Sequence, residues 1–454
     1  MGGDDPPRSP PHLPAVAGAA PPPPLMVWFS LFGILAPAVF SGAVLGAALG
    51  LTGFLILEIF AGGATQLGVQ AVWNTLNSFT LTAIPLFILL GEILVASGLA
   101  TKVYRAMAPA FDRLRGGLLH TNIAVCALFG AVSGSSLSVA AAVGSVAYPE
   151  LTARGYDRTA VLGSLAGGGT LGLLIPPSLS LLIFGALTET SIGQLFLAGV
   201  IPGLMMAGLF MAYIAFAAWR RPHIAPQGDL RLPIGQTLKA LASVWPILLL
   251  VAAVLGSLFA GLATPTESAA VGVFAAIILG TVMGELTLKR LAAALYTTAV
   301  TFTVIGVVFM GAVVLAQSIS ILQLPQLLLE EITALGITPH VMLLVVVLVY
   351  LVLGLFFDGL SMMIMTLPIV FPLLTGLGFD PVWVGVMVTL MIEVGMLTPP
   401  VGMNLFVLVG ITRGEVRIGD AAKGALPYWG LLLVGLLAIT VFPILATGLP
   451  GLMR

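Results

Sequence analysis

The sequence predicts an all-α polytopic membrane protein, built as an inverted repeat with two re-entrant hairpins and two broken helices. Three observations lead to this fold class. Of 454 residues 59% are hydrophobic and only 8% charged, with a mean hydropathy of +1.15, whereas soluble domains carry about 25% charge. Apolar stretches of spanning length recur along the chain. Shifting the sequence by 223 residues also superimposes Gly155-Tyr156-Asp157 on Gly378-Phe379-Asp380, Pro149 on Pro372, Gly172 on Gly395 and Pro176-Pro177 on Pro399-Pro400.

The elements follow in order. Residues 1–25 are a Pro-rich tail that cannot bury enough apolar surface to form structure, so they are expected to be disordered. A single span is expected at 26–51, followed by spans at 71–98, 159–187, 194–219, 241–262, 267–284, 291–320, 382–410 and 425–447. Two further apolar stretches, 118–148 and 341–371, are interrupted by Ser133-Gly134-Ser135-Ser136 and by Asp358-Gly359 with Ser361. Each half is shorter than a span, which predicts hairpins that enter and leave on one side. The domain reading is a first repeat at 26–219, a connector helix with its loops at 220–266 and a second repeat at 267–454.

Charge fixes the orientation. With the N-terminus inside, the inner loops hold Lys102, Arg105, Arg113, Arg115, Arg154, Arg158, Arg220, Arg221, Arg231, Lys239, Lys289, Arg290, Arg413, Arg417 and Lys423. The outer loops carry Glu58, Glu189, Glu267, Glu330 and Glu331. The loop 154–158 is basic, whereas its repeat partner around 377–381 has no cation, so the two copies face opposite ways. Inverted repeats with discontinuous helices are a recurring plan of secondary transporters.

Near-neutral charge, 17 Lys and Arg against 18 Asp and Glu, gives no attraction to nucleic acid. One cysteine excludes a disulfide framework, and four scattered histidines argue against a metal cluster. Without a Ser/His/Asp set, a paired carboxylate or a metal motif at plausible spacing, the chain is not read as an enzyme.

Tandem prolines in mid-helix predict unwinding at Pro176-Pro177 and Pro399-Pro400. Freed carbonyls at membrane depth then need protein, water or an ion. Around the first break stand Gly168, Gly169, Thr170 and Ser178; around the second, Thr398, Gly402 and Asn404. With the hairpin tips these make two oxygen-rich cages of the kind that suits a hard cation. Asp358 and Glu393 are acids near membrane depth and hence candidates for coupling, as ligands of a cation or carriers of a proton. No Lys or Arg lies in a predicted span, so an anionic substrate would be held by hydroxyls, amides and helix N-termini. Glu267 in Thr264-Pro-Thr-Glu267 reads as a capping residue.

The residues SGSSLSVAAAVGSVAYPELTARGYDRTAVLGSLAGGGTLGLLIPPS (133–178), GQLFLAGVIPG (193–203), TPTESAAVG (264–272), FFDGLSMMIMTLPIVFP (356–372) and TPPVGMNLFVL (398–408) resemble the large membrane subunit of tripartite ATP-independent periplasmic (TRAP) transporters, of the ion-transporter superfamily. The resemblance runs from about residue 26 to the C-terminus. It implies an elevator, with a scaffold and a mobile transport domain, in the bacterial inner membrane. It further implies Na+ as coupling ion, a small four-helix membrane subunit, and a periplasmic binding protein that delivers an organic acid. Carried over by position, one Na+ site would use Ser133, Ser135 and Ser136 with Gly168, Gly169 and Thr170. The second would use Gly359 and Ser361 with Thr398, Gly402 and Asn404. The rival readings are a stand-alone Na+ or H+ coupled dicarboxylate carrier of the same superfamily and a passive channel.

Overall fold

A computed structural model of the chain describes residues 23–226, 233–399 and 402–453. The proline-rich tail to residue 22, and Pro400 at the second expected break, lie outside them. Among the described residues every regular element is helical.

The expected first span, 26–51, is two helices, α1 (Pro24–Phe40) and α2 (Leu45–Phe60). Gly42, at φ +82°, turns the chain between them, a conformation open to a residue without Cβ. The next expected span is also divided, into α3 (Thr65–Leu76) and α4 (Ala83–Ala96); α5 (Leu99–Phe111) then turns away from α4 by 67°. Two helices of similar length follow, α6 (Leu118–Ser133) and α7 (Ser136–Ala153), joined only by Gly134 and Ser135. The first broken span is α8 (Arg158–Leu174) and α9 (Leu179–Thr188), and α10 (Ile192–Arg220) closes this half of the chain.

In the second half, α11 (Ile234–Ala242) and α12 (Trp245–Phe259) meet at a 42° bend, followed by α13 (Pro265–Val282) and the unbroken α14 (Leu288–Ile321). A short α15 (Leu324–Ala334) leads to the second helix pair, α16 (Pro339–Leu353) and α17 (Gly359–Gly376). The second broken span is α18 (Pro381–Leu397) and α19 (Met403–Ile411), and the chain ends with α20 (Ile418–Val441) and α21 (Ile444–Thr447). The arms α6 and α16 are short, but α17 is by itself long and apolar enough to cross a membrane. Not every hairpin half is therefore below spanning length.

Helix bounds recur at the spacing seen in the sequence. Adding 223 to α7 gives 359–376, the bounds of α17, and adding it to α8 gives 381–397, those of α18. Subtracting 223 from α12 and α13 gives 22–36 and 42–59, over α1 and α2. The duplicated Gly-aromatic-Asp motif has a local cause. Gly155 and Gly378, both at positive φ, end one helix. Asp157 and Asp380 then cap the next, the first accepting the Ala160 N–H and the second those of Val382 and Trp383. Glu267 closes a capping box with Thr264 at the start of α13, as its spacing predicts.

The centre of the molecule is formed by the two broken spans. From Val161 to Leu174 in α8 and from Val382 to Leu397 in α18 every residue is buried, as for helices packed on all sides. Glycines bring neighbouring backbones together there. A methyl on Gly130 of α6 would lie 2.6 Å from the Cα of Gly172 in α8, and one on Gly395 of α18 would lie 2.7 Å from the Tyr350 carbonyl of α16. Residues 172 and 395 are again 223 apart. Elsewhere Gly46, Gly50 and Gly53 of α2 pack on the Val307 to Leu315 stretch of α14. The outer faces of α12, α13, α14, α16 and α20 present Leu248, Phe274, Tyr296, Leu348 and Leu437 without cover, side chains suited to lipid. Six helices among the described residues are long and apolar enough to span, or eight if each bent pair is one span.

Because α16 and α18 meet backbone to backbone, Gly395→Val is expected to destabilise the protein by about 1–3 kcal/mol, seen as a lower melting temperature in detergent. Gly410→Ala, where an added methyl meets nothing, should leave that temperature unchanged or raise it. Equal behaviour of the two variants would remove close packing as the reason for Gly395.

Candidate functional site

Four helix interruptions meet in the buried centre. At the first hairpin tip Gly134, at φ +61°, ends α6, and the Ser135 hydroxyl accepts the Ser138 N–H to begin α7. The tip is wedged between other elements: a methyl on Gly134 would lie 2.8 Å from the Leu179 nitrogen at the start of α9, and one on Gly91 of α4 would lie 2.9 Å from the Ser133 Cα. At the first break Ile175 is extended and Pro176-Pro177 forms a cis bond. The Ser178 hydroxyl donates to the Leu173 carbonyl and accepts the Leu181 N–H, tying both ends of the break together.

The second tip is capped by Asp358, whose Oδ1 accepts the Leu360 and Ser361 N–H groups, each at 3.1 Å. Gly359 sits against both broken spans, since a methyl there would lie 2.7 Å from Met396 Sδ and 3.2 Å from Leu173 Cδ1. At the second break the Thr398 hydroxyl donates to the Val394 carbonyl at 2.7 Å and accepts the Trp429 indole N–H at 3.1 Å. The chain resumes at Gly402, whose N–H returns to the Thr398 carbonyl. Pro399 lies within this break.

The residues grouped by sequence are brought together in part. Gly169 and Gly172 face the tip, with added methyls 3.4 Å from the Ser136 carbonyl oxygen and 3.1 Å from that of Ser135. Gly168 instead faces Cys126 and the Asn122 carbonyl in the first arm of the hairpin. The Thr170 hydroxyl donates to the Gly167 carbonyl, which leaves only its lone pairs available. Ser133 makes a long contact, 3.5 Å, to the Ser135 carbonyl. The principal difference concerns Asn404. It was grouped with Gly359 and Ser361 of the second hairpin, yet its Nδ2 donates to Ser136 Oγ of the first, at 2.8 Å. Ser136 Oγ also lies 3.3 Å from Glu393 Oε2. Ser136, Asn404 and Glu393 are all buried, so they form one polar junction between elements more than 250 residues apart in the chain.

Sequence reasoning passed over three polar residues at this centre. Thr389 stands one helical turn before Glu393 and shares a 3.1 Å contact with Ser180 of α9; the i, i+4 spacing of two polar groups in an otherwise apolar stretch was the available signal. Asn122 accepts from Tyr104 and donates to Ser164, bracing the first arm. Trp429 carried no signal, being one aromatic among many apolar residues.

This arrangement suits both signs of charge. The N-terminal ends of α7, α9, α17 and α19 carry first-turn N–H groups without partners in their own helices, several of them capped by Ser135, Ser178 and Asp358, and the C-terminal ends of α6, α8, α16 and α18 carry such carbonyls. Hydroxyl, amide and carbonyl oxygens are the ligands of hard cations. Among the described residues no cluster of three His, Cys, Asp or Glu exists for a transition metal.

Residues 32–445 match the family model of the tripartite ATP-independent periplasmic transporter, DctM component. The chain belongs to this family. It is therefore the large membrane permease subunit of a TRAP system, a multi-pass membrane protein of a transporter family rather than an enzyme family. It is 34% identical over 406 residues to the C4-dicarboxylate TRAP transporter large permease protein of Pseudomonas aeruginosa, covering 89% of this chain and 94% of that one. With the sialic acid TRAP transporter large permease protein of Vibrio cholerae it shares 32% over 425 residues, 93% and 98% of the two chains. The fold is similar to that of the Alcanivorax borkumensis YdaH transporter, with a TM-score of 0.66 at 17% identity over 94% of this chain and 99% of that one.

The geometry at the second tip separates two roles of Asp358. Asp358→Ala is expected to cost about 0.5–2 kcal/mol through loss of the α17 cap, whereas Asp358→Asn keeps an accepting oxygen and should melt like the parent. Transport lost in Asp358→Asn at unchanged melting temperature would assign the charge a role beyond capping.

Proposed function

We propose that this permease imports an organic acid in symport with Na+ across the bacterial inner membrane, together with a small membrane subunit and a periplasmic binding protein. The observation that carries this reading is the polar junction of Ser136, Asn404 and Glu393 where the second broken span meets the first hairpin. A cation bound at such a meeting point stabilises the closed arrangement of both halves, and a ligand shifts an equilibrium by its difference in affinity between two states. The N-terminal ends of four half-helices supply donors for a carboxylate. The relatives named for C4-dicarboxylate and sialic acid point to an acid as substrate.

In this reading α6 to α10 and α16 to α20 form the mobile transport domain of an elevator, while α1 to α4 and α12 to α14 form the scaffold. Ser133, Ser135, Ser136, Gly168, Gly169 and Thr170 stay assigned to one Na+ site, and Gly359, Ser361, Thr398, Gly402 and Asn404 to the other, with Asn404 hydrogen-bonded across to Ser136. The two copies run in opposite directions, as the loop charges indicate. We read α12 as pairing with α1 across the repeat, since its bounds less 223 fall over those of α1.

The test is uptake of organic acids into proteoliposomes, with both partner subunits present or omitted and with or without an inward Na+ gradient. Uptake that needs partners and Na+ is the expected result; uptake by this chain alone, driven by protons, would overturn it in favour of a stand-alone carrier. In the same assay Asn404→Ala should raise the Na+ concentration for half-maximal uptake by about tenfold, the scale of one hydrogen bond to a charged group. An unchanged Na+ dependence would remove Asn404 from the site.

A further inference from the structure

Glu393 lies in the buried length of α18, five positions before Thr398, and is completely shielded from solvent. Neither α18, α19 nor α7 carries a Lys, Arg or His, and Glu393 takes part in none of the ion pairs among the described residues. Its hydrogen bonds are directional. The Asn404 amide donates to Ser136 Oγ at 2.8 Å, and the Ser136 hydroxyl, its lone pair thus used, donates to Glu393 Oε2 at 3.3 Å. Two oxygens are then left over. Glu393 Oε1 is buried without a well-formed hydrogen bond, the Leu173 backbone being the main-chain group that faces the carboxylate, and Asn404 Oδ1, 3.2 Å from Ser136 Oγ, receives no proton while that hydroxyl points to the carboxylate.

A buried carboxylate without a counter-charge is strongly disfavoured, and so is a buried polar atom without a partner. A proton removes the charge but leaves Oε1 without a partner, as a donor if it sits there and as an acceptor if it sits on Oε2 and donates to Ser136 Oγ. A cation there resolves both deficits at once. One acid among neutral oxygens balances a single positive charge; a divalent ion would need a second acid, and none of the acids forms a cluster here.

We propose that Glu393 Oε1 and Asn404 Oδ1, with Ser136 Oγ beside them, hold a monovalent cation at the junction between the two halves of the chain. The proposal rests on the cation-coupled reading above and goes beyond it, because it assigns an anionic ligand, Ser136 being the residue it shares with the set at the first tip. Charge makes this position the most cation-dependent part of the centre.

The experiment uses the purified full-length chain in detergent. Equilibrium binding of radioactive sodium and the melting temperature as a function of NaCl, with choline chloride holding ionic strength, are compared for the parent, Glu393→Gln and Glu393→Asp. Glu393→Gln should bind one Na+ fewer than the parent and show a smaller Na+-dependent rise in melting temperature. In Na+-free choline it should melt at or above the parent, since the uncompensated charge is gone; a purely structural carboxylate would give the opposite order. Glu393→Asp keeps the charge and should keep the stoichiometry at about tenfold weaker affinity. Equal stoichiometry in the parent and Glu393→Gln would overturn the proposal while leaving the cation-coupled reading intact. A parent that binds no Na+ would overturn both, and that result is visible without any variant.

Discussion

Backbone groups exposed at the centre of the molecule set the terms for everything around them. Interrupting two hairpins and two spans in one buried region leaves helix ends whose N–H and C=O groups have no partner within their own helices. In a bilayer water cannot serve them freely. The solutions are visible one by one: Ser135, Ser178 and Asp358 cap the restarting helices, the Ser178 and Thr398 hydroxyls return to carbonyls just upstream, and the tips pack against the neighbouring breaks. What remains unsatisfied after this local repair, the Glu393 Oε1 above all, is where a solute can be accommodated. A binding site here is the residue of incomplete self-satisfaction.

Close approach is the second condition. Caps work only if the tips can reach the breaks, and they reach them because glycine occupies the contact positions. Gly134 against Leu179, Gly130 against Gly172 and Gly354 against Gly395 each bring main chain to main chain, and Gly359 leaves room for the Met396 and Ile392 side chains. Dispersion and geometry carry this packing, since lipid offers no hydrophobic drive for helices to associate. The same positions therefore serve stability and site assembly together, and a substitution there acts on both.

Much of this was legible in the sequence because its signals are local. Tandem prolines mark the breaks, serine and glycine interrupt the apolar arms, and the Gly-aromatic-Asp motif encodes a helix stop and a helix start whatever surrounds it. The 223-residue shift carried over to helix bounds residue for residue in α7 and α8. What stayed hidden depends on contacts distant in sequence. The turn at Gly42 lies inside an uninterrupted hydrophobic run, so hydropathy merges α1 with α2. The resemblance, carried over by position, groups Asn404 with the second hairpin, whereas its amide crosses to Ser136. One residue along a helix turns about 100°, so the Cα hydrogen of Gly168 faces Cys126 while that of Gly169 faces the hairpin tip. The face a residue presents is fixed by tertiary packing, to which composition is blind.

The bond between Asn404 and Ser136 also bears on how the chain is made. The first hairpin is complete once residue 153 has left the ribosome, yet the amide that meets its tip belongs to a helix near the far end of the chain. Until that helix arrives, the serines of the tip have to be sheltered by lipid headgroups, water or the insertion machinery. Biogenesis thus passes through a half-molecule whose polar centre is open, and the last broken helix to insert is the one that seals it.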